Sequence, residues 1–122
     1  SPRIEYLTAS SISPQTAAHV ERAVIETRGP VMVILDSLHA QDHVAKELEI
    51  YHRFVTKGSY LIVEDTKLNG HPVFTRHEPD LGEGPMEAVM GFLAKDRNFQ
   101  VDRTRERFFL TSNPNGFLLR IA

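Results

Sequence analysis

The stretch Val31-Met32-Val33-Ile34-Leu35-Asp36, followed after one helix-length segment by Tyr60-Leu61-Ile62-Val63-Glu64-Asp65, decides the fold. Each apolar run has the length of a buried strand, and each stops at acidic residues. Between them Val44, Leu48, Tyr51 and Val55 recur at spacings of four, three and four, the pattern of a helix with one apolar face. Asp42 is placed to cap this helix and Lys57-Gly58 to end it. Strand, helix and strand in this order predict a parallel pair joined by a right-handed crossover. Acids then gather at the carboxyl ends of neighbouring strands, where open α/β sheets bind their ligands.

Working outward, residues 4–9 (Ile-Glu-Tyr-Leu-Thr-Ala) read as a short strand, and Ser13-Pro14 as a cap followed by proline at the first helical position. The helix so opened runs over 14–27, with Ala17, Val20 and Val24 on one side, and Arg28-Gly29-Pro30 closes it. Residues 66–84 form a long polar loop, a length that usually carries function. Pro85 then opens a short helix with Val89, Phe92 and Leu93 on its apolar face. Residues 99–101 and 107–111 read as strands, and Asn113-Pro114-Asn115-Gly116 turns the chain into Phe117-Leu118-Leu119, an antiparallel hairpin.

At 122 residues the chain has room for a single domain over 1–122. Hydrophobic residues at 41%, charged residues at 25% and a formal charge of -2 fit a globular protein without an electrostatic footprint for nucleic acid or anionic membrane. The absence of cysteine excludes disulfides and thiolate metal sites. No apolar run approaches the roughly 20 residues of a membrane span. No signal peptide opens the sequence, so a soluble, cytoplasmic protein is expected.

Magnesium takes a few carboxylates from a protein and keeps several waters. Asp36, Glu64 and Asp65 supply that number. Because strand residues alternate sides, Glu64 and Asp65 can face one ion only if the backbone turns out of the strand between them. Acids also end strands because they favour turns and water, but a set shared by adjacent strands favours the metal. His39 lies three residues after Asp36, and an imidazole, titrating near about 6.5 when unperturbed, suits a general base toward a metal-acidified hydroxyl. His43 caps or lines the second helix. His19 and His52 sit in predicted helices as structural residues, whereas His71 and His77 of the long loop are placed to touch substrate.

The segments Val33-Ile34-Leu35-Asp36-Ser37-Leu38-His39, Asp42-His43-Val44, Gly58-Ser59-Tyr60-Leu61-Ile62-Val63-Glu64-Asp65-Thr66 and Asn69-Gly70-His71-Pro72 together resemble the cephalosporin hydroxylase family. So does the close, Asp102-Arg103 and Arg105-Glu106-Arg107-Phe108 through Leu110-Thr111-Ser112-Asn113-Pro114-Asn115-Gly116. Members of that family look like S-adenosylmethionine-dependent methyltransferases, some acting on sugar hydroxyls, and are similar to magnesium-dependent O-methyltransferases. In these relatives an acid ending the fourth strand and an acidic pair, or acid and amide, ending the fifth bind the metal. By resemblance, those are Asp36, Glu64 and Asp65. The relatives' proton acceptor, a lysine or histidine three positions after the first ligand, corresponds to His39.

The resemblance implies a partial Rossmann-like methyltransferase sheet. The glycine-rich turn and the acidic residue that hold S-adenosylmethionine in such enzymes are not found upstream of Asp36, so the chain is expected to be the carboxy-terminal part of a methyltransferase domain. In the family's strand order 3-2-1-4-5-7-6 the run at Val31 would be the fourth strand, with one edge open, and the chain should dimerise, rearrange or cover that edge. The resulting expectation is an O-methyltransferase using S-adenosylmethionine and magnesium on a small-molecule or sugar hydroxyl. The alternative is a noncatalytic, truncated α/β module that self-associates. A third possibility, an iron hydroxylase using Asp36, His39 and His43, leaves the acidic pair without a task.

Overall fold

The computed structural model describes residues 3–71, 83–107 and 111–122. Helix α1 spans Pro14–Thr27. The Ser13 hydroxyl opens it by accepting from the Thr16 N–H at 3.2 Å, with proline at the first position. It closes on Arg28 in the left-handed region (φ 52°), so the arginine, and not Gly29, takes the conformation that usually selects glycine. No strand forms over residues 4–9. Ile4, Tyr6 and Leu7 there are 50–86% exposed, and a strand without a partner does not persist.

Strand β1 (Val33–Leu35), helix α2 (Gln41–Tyr51) with a 3-10 turn at its end (His52–Phe54), and strand β2 (Tyr60–Val63) form the expected unit. The strands are parallel, Val33 opposite Leu61 and Leu35 opposite Val63. The stripe Val44, Leu48, Tyr51 and Val55 is 1–6% exposed, as its spacing predicts. Asp42 does not cap α2. The cap is Ala40, without a side-chain bond, and the Gln41 N–H is instead taken up by the Glu83 carbonyl at 3.1 Å. Asp42 falls in the first turn, where a carboxylate suits the helix dipole and accepts from the His43 N–H at 2.9 Å.

Helix α3 (Pro85–Lys95) begins after Gly84, whose N–H is held by the Glu87 carboxylate at 2.7 Å. Strands β3 (Phe99–Val101) and β4 (Phe117–Arg120) complete a four-stranded sheet of order β1-β2-β4-β3. Strand β4 is antiparallel to both of its neighbours. The antiparallel ending is therefore present, built from β3 and β4. The strand expected over 107–111 falls largely on residues 108–110, and most of the long loop, with His77, on 72–82, both outside the described residues.

One face of this mixed α/β, partial Rossmann-like sheet carries the core: Leu35, Leu61, Val63 and Leu118, packed with Val44, Leu48 and Val55 from the α2 side and Val89 from α3. Burying each such side chain contributes about 1.5–3 kcal/mol relative to leaving it in water. The opposite face is also apolar but uncovered at β1, where Met32 and Ile34 are 53% and 52% exposed. Ile34, Ile62 and Phe117 lie in register across three strands on that face. No helix of the described residues is long and apolar enough to cross a membrane.

Candidate metal centre

The ladder between β1 and β2 brings the two acidic strand ends level. Its last bond runs from the Glu64 N–H to the Leu35 carbonyl at 2.9 Å, so Asp36 and Glu64 leave the sheet side by side. The chain then turns at Asp65, which adopts φ 53°, a left-handed conformation that aspartate tolerates better than most residues. This is the turn that the acidic pair requires.

It brings together a set different from the expected three carboxylates. Asp36, His39 and Asp65 each place a ligand-type atom within 4.8 Å of the others. His39 Nε2 lies 3.6 Å from Asp36 Oδ1 and 3.5 Å from Asp65 Oδ2. Glu64 lies outside this cluster, its Oε2 accepting from Asn113 Nδ2 at 3.1 Å. The reason is the alternation of strand residues: the turn that swings Asp65 toward His39 leaves Glu64 to the neighbouring turn that precedes β4.

His39 Nε2 is buried and has no hydrogen-bond partner, although two carboxylates face it. The ligand-type oxygens of Asp36 and Asp65 face the same space, within 4.8 Å of each other. Two carboxylate oxygens facing one space suit magnesium or manganese, with the imidazole nitrogen of His39 beside the ion as a base. Asp36 is the exposed member, its side chain 62% accessible, while those of Asp65 and His39 are 30% and 29% accessible.

Asp65 is held on every side. Its N–H donates to Asn113 Oδ1 at 2.8 Å, and Lys67 Nζ lies 3.8 Å from Oδ1 while donating to Ser112 Oγ at 2.7 Å. The next residue, Thr66, is fully buried and donates to the Pro114 carbonyl at 2.6 Å. Asn113, 8% exposed, thus fixes both members of the acidic pair with one amide. By sequence alone Asn113 is a turn residue and Lys67 one more polar residue of the long loop. The only sign of Asn113's second role is a polar residue in a turn whose strand must pair beside the acidic end. Asn113→Ala is expected to cost about 2 kcal/mol, because it leaves one N–H and one carboxylate without their partner. It should also weaken divalent-cation binding roughly 10-fold. Thermal melting and titration calorimetry measure both, and an unchanged melting temperature would show that the clamp contributes nothing.

The other histidines among the described residues lie outside the cluster. His43 Nε2 meets Ser11 Oγ at 3.2 Å, so Asp36, His39 and His43 do not assemble as one set. His71 pairs with Glu87 at the start of α3. Burial raises the Glu87 carboxyl, but bonds from His71 and the Gly84 N–H outweigh it and hold the group below its ordinary range. His19 pairs with Glu5 at 2.8 Å and His52 with Asp96 at 3.1 Å, the latter packed edge-on against Phe92 and Phe99.

The cluster lies at the carboxyl ends of adjacent parallel strands in a partial Rossmann-like sheet, the place where sheets of this class bind their ligands. The chain belongs to the rhamnosyl O-methyltransferase/CmcI family, whose profile matches residues 1–121. The cephalosporin hydroxylases are related to it. Similar proteins include the rhamnosyl O-methyltransferases of Mycobacterium tuberculosis and Mycobacterium bovis, each 38% identical over 121 residues, covering 98% of this chain and 48% of the relative. That of Mycobacterium leprae is 36% identical over 121 residues, 98% of this chain and 51% of the relative. The chain spans about half the length of the curated relatives it matches. No solved structure matches it significantly.

Proposed function

We propose that this chain carries the acceptor-activating centre of a sugar O-methyltransferase, with a rhamnosyl-type hydroxyl as acceptor. One observation carries the proposal: in a member of this family, Asp36, His39 and Asp65 converge where two parallel strands end. Asp36 and Asp65 would hold a magnesium ion, Glu64 standing beside them through Asn113. When bound, the ion would supply Lewis-acid polarisation that lowers the pKa of the hydroxyl, and S-adenosylmethionine would supply the methyl group.

The residues of the chain do the rest. Asp36 and Asp65 fix where the acceptor oxygen sits relative to His39, and alignment of this kind is where most of the rate gain arises. His39 receives the hydroxyl proton at Nε2, the atom left without a partner between the two carboxylates. Asp65, kept in place by Asn113 and Lys67, stabilises the imidazolium that results. His71, fixed by Glu87, is assigned to the acceptor side. Among the described residues the two parallel strands run into Asp36-Ser37 and Glu64-Asp65, not into a glycine-rich turn. No residue of this chain is therefore assigned to the methyl donor.

The test is His39→Ala in a methyl-transfer assay containing this chain. The expected loss of turnover is on the order of 10²–10⁴-fold, with divalent-cation affinity within a few-fold of the parent. Retained turnover removes His39 as the base.

A second reading, a noncatalytic module that self-associates, is favoured by a separate feature. Strand β1 is a sheet edge, and Ile34 within it and Met32 just before it are half exposed. A stable dimer in sedimentation that binds neither magnesium nor manganese would support this reading over the enzyme.

A further inference from the structure

Glu47 has no part in the chemistry above, yet it is the most buried acid among the described residues, 2% exposed on α2. Its Oε1 accepts from Ser37 Oγ at 2.8 Å and lies 3.7 Å from His43 Nε2, while its Oε2 has no partner. A half-satisfied buried carboxylate is unfavourable for folding, and an apolar residue of similar size would pack there at less expense. Its position is informative. Ser37 directly follows Asp36 and lies two residues before His39, so this single bond ties the loop carrying two members of the cluster to a rigid helix. The opposite side of the cluster has its own anchor, the Asn113 amide on Asp65.

The N-terminal segment closes over the same spot. Ser11 Oγ meets His43 Nε2 at 3.2 Å, and the Ser11 carbonyl accepts from the Tyr51 hydroxyl at 2.5 Å. Water is thereby kept from the carboxylate, and in a drier setting its bond to Ser37 is stronger.

We infer that Glu47 is a positioning residue for the cation centre: through the Ser37 hydroxyl it sets the Asp36–His39 loop against Asp65. The inference rests on the proposed metal site and adds the element that holds one half of it in place. Partners lying behind metal ligands typically change affinity 10–100-fold when removed.

The experiment is a manganese titration of the 122-residue chain followed by electron paramagnetic resonance, with circular dichroism reporting the fold. Ser37→Ala and Glu47→Ala should each lower manganese affinity about 10-fold. The double variant should be no worse than either alone, because both remove the same bond. Glu47→Gln keeps an oxygen acceptor for Ser37 and should restore most of the affinity, whereas Glu47→Met, which fills the same space without an oxygen, should not. Should Glu47→Ala fail to fold, Ser37→Ala, altered in a loop, still decides. Parent-like affinity in folded Ser37→Ala, with Asp36→Ala abolishing binding, overturns the role of Glu47 and leaves the metal site standing. Parent-like affinity in Asp36→Ala overturns the metal site and this inference with it.

Discussion

Replacing Asp36 by alanine is expected to reduce magnesium or manganese affinity by on the order of 100-fold or more, beyond what loss of an outlying partner costs. The fold should survive intact. The Asp36 side chain is 62% exposed, and its near polar partner is His39 Nε2 at 3.6 Å, so removing it vacates no core volume and orphans no buried donor that was paired. It also removes a negative charge that faces Asp65 across the cluster, so the melting temperature should hold or rise slightly. Asp65 gives a less clean comparison, because its backbone sits at φ 53° and its side chain pairs with Lys67 as well as His39. Titration calorimetry of the parent and of Asp36→Ala decides the matter. Equal affinities would leave the cluster as an ordinary group of solvated charges.

The second large effect concerns folding. A β-carbon added at Gly116 would stand 2.3 Å from the Val63 carbonyl oxygen, with the Asn113 carbonyl oxygen and β-carbon both at 3.1 Å. All but one of these atoms are backbone, and the strands cannot separate, since the Val63 N–H donates to the Gly116 carbonyl at 2.9 Å. Gly116→Ala should therefore destabilise the protein by about 3 kcal/mol, a fall in Tm of about 10 °C. The modest gain from stiffening the unfolded chain does not offset this. Because Val63 immediately precedes the acidic pair, the same substitution should disturb cation binding. A Tm within a degree or two of the parent would mean that β4 does not pack as described.

What could be read from the residues was whatever local pattern dictates. The two apolar runs and the stripe from Val44 to Val55 specify a strand, a helix and a parallel strand, because periods of two and 3.6 residues leave different marks. Ser13-Pro14 and Pro85 mark helix starts through conformations that proline already holds. Residues 4–9 misled because an alternating pattern counts only when another strand is available to pair with it. Asp42 misled because the Glu83 carbonyl, distant in sequence, took the N–H that starts α2.

The site divided along the same line. Local reasoning placed Asp36, Asp65 and His39 near one another and required the turn that Asp65 makes. Which acid faces the histidine was not legible, since it depends on Asn113, 48 residues from Asp65 and 49 from Glu64. Nor was Glu47, which reads as one more polar position on a helix until Ser37 is seen against it.

The Glu64-to-Leu35 bond, the final rung between the parallel strands, has a wider meaning. Because Asp36 and Asp65 leave from either side of that rung, the gap across which they face each other is a gauge cut into the main chain. Changing side chains alters how many charges line the gap, but its width follows the spacing of paired strands, about 4.8 Å. Attempts to retune this protein toward ions of another radius would therefore have to change how far the side chains reach into a gap whose walls stay put.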